Sequence, residues 1–355
     1  MEYKDITKIY DITEWDGQEY TTTLGTRMKM VYKRPDGRNY FFKESYKNYP
    51  WEFWSEVIAS KVGKAIGARV VDYNVAFISN ANEGYKAGCI CEFVQDNANE
   101  ELIHGLELLL IVKPEFDKEK GKDHSFQLIE QALMKFSVLK PYIENIIEAI
   151  VFDSLIGNRD RHQENWAVII DIRTFRRFYR FPRLIAKPLI VLTNTLRLFI
   201  NYVTKGKALD VLGFRFSPLY DNGSSLGREI LEESLDDLIN SPDHETKLRR
   251  YALGKKYQSH IRWNSEHIGH FDLIMRIREK HPILTKRYLL KFVNNFDPQI
   301  IEEIVNNIDK GFKPPDKKYC LSNKRKQLII ELLKLRHAEL KRVLEFDNAN
   351  QKDIY

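Results

Sequence analysis

The chain has 355 residues, 43% of them hydrophobic and 30% charged, with 17 Gly and 12 Pro. That composition belongs to a globular chain able to bury a sizeable core, and it excludes a collagen, a low-complexity polymer and wholesale disorder. The 56 basic and 50 acidic residues leave a net charge of +6, too mild a bias over the whole chain to argue for nucleic acid.

Three cysteines occur, Cys89, Cys91 and Cys320. The first two stand too close along a strand to bridge, and no second pair completes a zinc site. A disulfide scaffold is therefore not expected, and a reducing, cytoplasmic compartment fits. The N-terminal sequence mixes acidic, basic and apolar residues, so no signal peptide is expected. The stretch that comes nearest to a membrane span, Leu184 to Val203, is interrupted by Lys187, Pro188, Asn194 and Arg197. Charges at those positions are costly in hydrocarbon, so no transmembrane segment is expected.

In chain order, Thr21 to Tyr32 reads as a strand pair broken at Leu24-Gly25-Thr26. The turn Arg34-Pro35-Asp36-Gly37-Arg38 leads into a returning strand, Asn39 to Lys43, and so into a hairpin. The period then becomes helical: Trp54, Ile58, Val62 and Ile66 recur over Trp51 to Ile66, with Gly67 as the stop. Arg69 to Ile78 and Tyr85 to Val94 return to strand character. After Gln95 the pattern is helical, with runs at Ser125 to Leu139 and Tyr142 to Ile156. Trp166 to Ile170 is a short buried-type strand, and Phe214 to Tyr220 is its expected partner. Later helices are predicted at Arg228 to Ile239, Phe271 to Glu279 and Asn323 to Phe346, the last with leucines against a charged face.

Residues 171–210 carry nine Lys/Arg against two acids, a net +7 that leaves the rest of the chain at −1. The basic bias is therefore one local insertion. It admits three readings: a solvated basic face, a dock for an acidic protein or nucleic acid, or an amphipathic element on anionic lipid.

The densest polar run is Gly157-Asn158-Arg159-Asp160-Arg161-His162-Gln163-Glu164-Asn165. A helix enters it and a strand leaves it, which suits rigidly placed side chains. Phosphoryl transfer needs a carboxylate to take the proton of an attacking hydroxyl, and this loop contains Asp160. It also needs oxygen ligands for Mg²⁺, which an Asn can supply without adding charge. Asn165 lies five residues on. A second carboxylate, Asp221, sits in Asp221-Asn222-Gly223 just past a short strand. Upstream, Lys43 ends a hairpin strand and supplies a cation for phosphates, and Glu52 and Glu56 on the following helix could aim it.

The ordered set Lys43, Glu56, Asp160-x-His162-x-x-Asn165 and Asp221-x-Gly223 resembles the HipA-like kinases, bacterial serine/threonine kinases of toxin–antitoxin systems. The Asp-Arg-His-x-x-Asn form is also similar to the phosphoinositide kinases. The resemblance spans roughly residues 20–300 and implies an α+β, bilobed, protein-kinase-like fold. A small β-rich N-lobe over 1–97 would precede a mostly helical C-lobe over 98–347 that contains the insertion 171–210, with a frayed tail over 348–355. It implies ATP and Mg²⁺, with Asp160 as catalytic base, Asn165 and Asp221 as metal ligands, and Lys43 on the phosphates. Glu56 is preferred over Glu52 because it precedes the family's helix ending in Ala65-Ile66-Gly67. Cys91-Glu92-Phe93-Val94 resembles the hinge, so the main chains of Glu92 and Val94 are expected to read adenine. Gly25 and Thr26 fall where a phosphate-covering loop belongs. The resemblance implies a protein substrate and an antitoxin partner, and the chain reads as a stand-alone short form.

Taken singly, Lys43 and Glu56 would be surface residues, and Asp221 a turn former; their order and context carry the argument. His162 is expected to be structural, since Asp160 already holds the base position. Arg159 and Arg161 could steady phosphate or pair with acids; an exposed arginine is the blander reading, and all three stay open. His260, His267 and His270 read as core or surface residues rather than a zinc site. Two alternatives stand beside the protein kinase: a lipid kinase, and a non-catalytic ATP-binding regulator.

Overall fold

The computed structural model describes residues 7–20, 29–45, 48–80, 84–95, 99–119, 121–171, 213–254 and 258–350. Gly25, Thr26 and the basic insertion beyond Asp171 lie outside them. The N-terminal part is a six-stranded sheet built from β1 (Ile9–Asp11), β2 (Asp16–Tyr20), β3 (Lys29–Lys33), β4 (Asn39–Glu44), β5 (Asn74–Asn80) and β6 (Gly84–Glu92). Its order is β1-β5-β6-β4-β3-β2. β1 runs parallel to β5 and the remaining pairs are antiparallel.

The two faces of the sheet separate by the two-residue period of a strand. Tyr40 and Phe42 of β4 join Ile12, Tyr32, Ala76, Ile78 and Ile90 in a small outer core. Phe41 and Lys43 therefore point to the other face. On that face, Cys89 and Cys91 of β6 enter the main core with α1 (Glu52–Ala65). A slip of one residue in the β4 register would turn Lys43 outward. Gly88 protects the register: it lies opposite Glu44, and a Cβ there would stand 2.3 Å from the Lys43 carbonyl oxygen.

Helix α1 is buried from Glu52 to Gly63, because it is covered on both sides. The sheet lies on one flank and the C-terminal part on the other. Trp54 Nε1 donates to the Tyr319 carbonyl at 2.8 Å, and the rings of Phe53 and Trp54 meet Phe312 edge to face.

The C-terminal part opens with a second sheet, the antiparallel trio β7 (Glu100–His104), β8 (Ala167–Asp171) and β9 (Phe214–Phe216), in that order. Helices α2 (Gly105–Val112), α3 (Phe126–Met134) and α4 (Ile143–Ile156) come between β7 and β8. After β9 follow α5 (Leu235–Ile239), α6 (His244–Leu253), α7 (His270–Lys280), α8 (Pro282–Asn295), α9 (Pro298–Asn307) and α10 (Asn323–Asn350). α4 is the axis of this part and is buried on nearly every side. It ends at Gly157, whose left-handed φ of 71° lets its N–H cap the Asp153 carbonyl, the conformation that glycine adopts most cheaply. No helix among the described residues is long and apolar enough to cross a membrane. Cys89, Cys91 and Cys320 are all free thiols.

The structure departs from the sequence reading at several elements. β7 stands where helical character was expected after Gln95; pairing with β8 overrides the local pattern. The helix predicted at Arg228 to Ile239 forms only from Leu235, after a 3₁₀ turn at Glu232–Ser234. Buried Arg325 of α10 holds this segment by donating to the carbonyls of Gly227 and Ile230, at 3.3 and 2.6 Å, and the Ile230 N–H closes a turn on the Gly227 carbonyl at 3.0 Å. Phe214 to Tyr220 yields only a three-residue strand, and α6, α8 and α9 were not predicted.

Gly88→Ala places a methyl group against immovable backbone and is expected to cost about 1–3 kcal/mol. Chemical denaturation compared with the wild type reads that loss; an unchanged midpoint would contradict the close packing of β4 on β6.

Candidate active site

The loop from Gly157 to Trp166 begins at the α4 cap and ends at β8. Asn158 is buried and pins its start: its N–H donates to the Asp153 carbonyl at 2.9 Å, and its Oδ1 accepts from the Asp160 N–H at 3.1 Å. Asn165 closes the loop by donating Nδ2–H to the Asp160 carbonyl at 2.7 Å. Only the amide NH₂ can make that bond, so the amide oxygen is the end left for other chemistry. Ser224 Oγ donates to Asp160 Oδ2 at 3.4 Å, which joins this loop to the segment after Asp221.

Arg161 is the hub. It is 1% exposed, and all five of its N–H donors find acceptors. Nε and Nη2 grip the two oxygens of Asp153 on α4 at 2.9 and 2.7 Å. Nη1 donates to the carbonyls of Asn165 and Tyr220, at 2.8 and 2.6 Å. Nη2 also reaches Asn222 Oδ1 at 2.6 Å. Burial works against this cation, but Asp153 outweighs it and holds the guanidinium above its ordinary pKa. One side chain thus ties α4 to the loop of Asp160 and to the loop of Asp221. Of the readings the sequence left open for Arg159 and Arg161, pairing with acids is the one formed. Arg159 is half-buried and pairs with Glu229 at 2.6 Å.

Lys43, Glu56 and Asp221 meet across the two parts of the chain. Lys43 Nζ contacts Asp221 Oδ1 directly and stands 3.6 Å from Glu56 Oε2. Glu56, 1% exposed, accepts the Asn222 N–H on Oε1 at 2.7 Å. Its Oε2 has no hydrogen bond, so Lys43 is the charge that faces it. Burial raises the Glu56 pKa, and the lysine opposes that only in part. Gly223 closes on the same carboxylate: a Cβ there would lie 2.9 Å from Glu56 Oε2. Asp221 itself has a left-handed φ of 55°, a strained conformation for a non-glycine residue and one common where a side chain must be aimed. Glu52 faces elsewhere and pairs with Arg228.

Asp221 and Asn165 offer a carboxylate and an amide oxygen from loops joined through Arg161. That donor set fits Mg²⁺, which takes one or two protein oxygens and completes its shell with phosphate and water. Among the described residues no cluster of three His, Cys, Asp or Glu could hold a metal alone.

The end of β6 has a defined polarity. Phe93 N–H donates to the Asn39 carbonyl at 3.0 Å, so Asn39 and Phe93 form a hydrogen-bonded pair. By antiparallel alternation the next pair, Tyr40 and Glu92, does not. The Glu92 N–H and C=O therefore face the β5 side, beyond the last pair of that ladder, Asn74 with Ile90. The Glu92 carboxylate is exposed and accepts from Arg38 at 3.2 Å. The Val94 carbonyl accepts from Arg215 Nη2 at 2.7 Å. Phe41 and Phe93 stack at 3.8 Å beside this edge.

Two features escaped the sequence reading. First, histidines chain behind the loop of Asp160. Trp166 Nε1, a donor only, meets His124 Nε2 at 3.3 Å. His124 Nδ1 must then carry the proton that it shares with His260 Nδ1 at 3.3 Å. Burial keeps both rings neutral, pushing His260 down to about 4 and His124 well below its usual value. The His260 ring meets His162 edge to face at 6.0 Å, and His162 Nδ1 accepts the Glu164 N–H at 3.2 Å. His162 thus packs and hydrogen-bonds inside the loop. Second, Glu107 of α2 carries a buried Oε2 with no hydrogen bond. Burial first, and the Glu164 charge after it, raise its pKa to about 7. Nothing in the spacing of these residues pointed to either feature; only the tertiary fold brings them together.

No protein-family model matches the sequence, and no curated protein matches it. Among solved structures, the chain is similar to the Helicobacter pylori proinflammatory kinase CtkA, with 17% identity and a TM-score of 0.66 over 95% of this chain and 97% of that one. The protein therefore has the bilobed kinase-like fold, a β-sheet N-terminal part followed by a helical C-terminal part. Lesser likenesses are to HipA of Shewanella oneidensis MR-1, solved with HipB and operator DNA (15% identity, TM-score 0.49, 92% of this chain and 66% of that one). A third is the Golgi casein kinase (13% identity, TM-score 0.36, 96% and 73%).

Asp153→Ala strands the Arg161 guanidinium in the interior and is expected to cost about 3–5 kcal/mol, read by urea denaturation; a loss within error would remove Arg161 as the hub. Glu107→Gln tests the raised carboxyl. In the folded chain Glu107 keeps its proton up to about pH 7, whereas unfolded it loses it near the ordinary value, so the folded state loses stability as pH rises between the two. The glutamine variant should melt with the wild type at pH 4.5 and above it at pH 8. An equal difference at both pH values would contradict the assignment.

Proposed function

We propose that the chain is an ATP-dependent kinase that moves the γ-phosphoryl group onto a protein Ser or Thr hydroxyl. The observation that supports this most is the contact set joining four distant segments: Lys43 to Glu56 and Asp221, Asp221's loop to Arg161, and Arg161's loop through Asn165 to Asp160. These are the residue types phosphoryl transfer requires, and the fold is one that kinases use.

In this reading Asp160 orients the acceptor hydroxyl and takes its proton as the new O–P bond forms and the bond from the γ-phosphorus to the β,γ-bridging oxygen breaks, leaving ADP. Its carboxylate is steadied by the Ser224 hydroxyl. Lys43 leaves Asp221 for the α- and β-phosphates and stays within reach of Glu56. Asn165 and Asp221 present oxygens to a divalent cation, which when bound neutralises the β- and γ-phosphates. The loops are held before substrate arrives, so most of the rate enhancement comes from positioning and electrostatics. The Glu92 and Val94 main chains read adenine, and Gly25 and Thr26 cover the phosphates.

The finer assignment follows from the motif resemblance: a HipA-like kinase, with a protein substrate and an antitoxin partner in a toxin–antitoxin pair. Incubation with labelled ATP and Mg²⁺, against a cell lysate in one arm and phosphoinositide vesicles in the other, tests it. Label is expected in protein and not in lipid, and Asp160→Ala is expected to lower transfer by roughly 10²-fold or more while keeping the wild-type circular dichroism. Transfer by Asp160→Ala at the wild-type rate would remove Asp160 from the base position. Tight ATP binding without turnover would instead mark a nucleotide-binding regulator.

A further inference from the structure

The hinge edge carries an arginine that the kinase reading does not use. Arg215 lies on β9, opposite Ile169 of β8. It is held by Glu100 at the start of β7, with Nη2 at 2.8 Å from Oε2 and Nε at 3.3 Å from Oε1. From that platform Nη2 also donates to the Val94 carbonyl at 2.7 Å. A surface ion pair alone would mean little. Here the pair aims a cation at a main-chain acceptor two residues past Glu92.

The consequence is a pattern of donors and acceptors. On the β5 side, Glu92 presents its C=O beyond the end of the ladder. The Val94 N–H has no partner among the described residues, while the Val94 C=O is engaged by Arg215. Adenine offers an exocyclic N–H next to a ring-nitrogen acceptor, which matches a C=O followed by an N–H. Guanine offers the reverse, an oxygen acceptor next to N–H donors. With that edge toward the hinge it would bind by shifting so that its oxygen meets the Val94 N–H and its donors meet the Val94 C=O. The guanidinium stands at that carbonyl and repels those donors, and a hydrogen bond to a charged group is among the stronger ones.

Resting on the kinase reading, we infer that Arg215 is a specificity-determining residue that restricts the nucleotide site to adenine by capping the Val94 carbonyl. Its place on β9 makes base selection a property of the C-terminal sheet as well as of the hinge. Arg215 is 44% exposed, so its replacement threatens the fold little.

Calorimetric titration of ADP and of GDP, each with Mg²⁺, into the wild-type chain and into Arg215→Met reads the inference without turnover. The wild type is expected to favour ADP, and Arg215→Met to narrow the GDP-to-ADP ratio of dissociation constants by about tenfold. Arg215→Lys, which retains a cation, is expected to restore part of the preference. A general loosening of the hinge would weaken both nucleotides together and leave the ratio where it was. A chain that binds ADP with a ratio unmoved by Arg215→Met overturns the role of Arg215 and leaves the kinase reading intact. A wild-type chain that binds neither nucleotide overturns both.

Discussion

The buried pair of Arg161 and Asp153 is the constraint from which the rest of the site is built. An isolated guanidinium in a protein interior is costly, and an ion pair offsets that cost only when its geometry is good and every remaining donor is satisfied. Arg161 meets both conditions, with a two-pronged grip on Asp153 and bonds to Asn165, Tyr220 and Asn222. Lysine, a point charge without a planar fork, could not hold three segments in this way. The Asp160 loop and the Asp221 loop therefore have one common origin, the end of α4. Anything that moves α4 moves both loops together.

The second constraint joins the sheet to that unit. Glu56 on α1 accepts the Asn222 N–H and faces Lys43 of β4, so the N-terminal part reads the position of the Asp221 loop through one carboxylate. Further along, Arg228 binds Glu52, and Arg325 of α10 takes the carbonyls of Gly227 and Ile230. The segment after Asp221 is thus fixed from both sides, by α1 and by the long C-terminal helix.

Much of the sheet was legible in the sequence because its cues are local. The Pro-Asp-Gly turn before Asn39, the 3.6-residue period of α1 and the strand character of β6 all stood out, and each element formed within a few residues of its predicted place. α8 and α9 carry legible start signals that the reading passed over: Pro282 and Pro298 occupy first turns, and Asp297 accepts from the Gln299 N–H at 2.8 Å. β7 and the segment at Gly227 were not legible, since strand partners hold the one and Arg325 the other. At the site, residue types and order singled out Lys43, Glu56, Asp160, Asn165 and Asp221, which the fold brings into one contact set, and Glu56 rather than Glu52 is the carboxylate that faces Lys43. Arg161 was visible but its burial was not, because burial depends on Asp153 of α4 and on Tyr220 and Asn222 of the Asp221 loop converging on it. The histidine chain and Arg215 were invisible for the same reason.

The claim that all of this supports is that Asp221 and Asn165 share one metal-bound triphosphate with Lys43. The most direct measurement is a crystal structure with Mn²⁺ and a non-hydrolysable ATP analogue, with the metal located by its anomalous signal. The account predicts the metal on the carboxylate of Asp221 and the amide oxygen of Asn165, with Lys43 moved from Asp221 to the phosphates. A metal and triphosphate bound elsewhere, with the Lys43–Asp221 contact undisturbed, would contradict it.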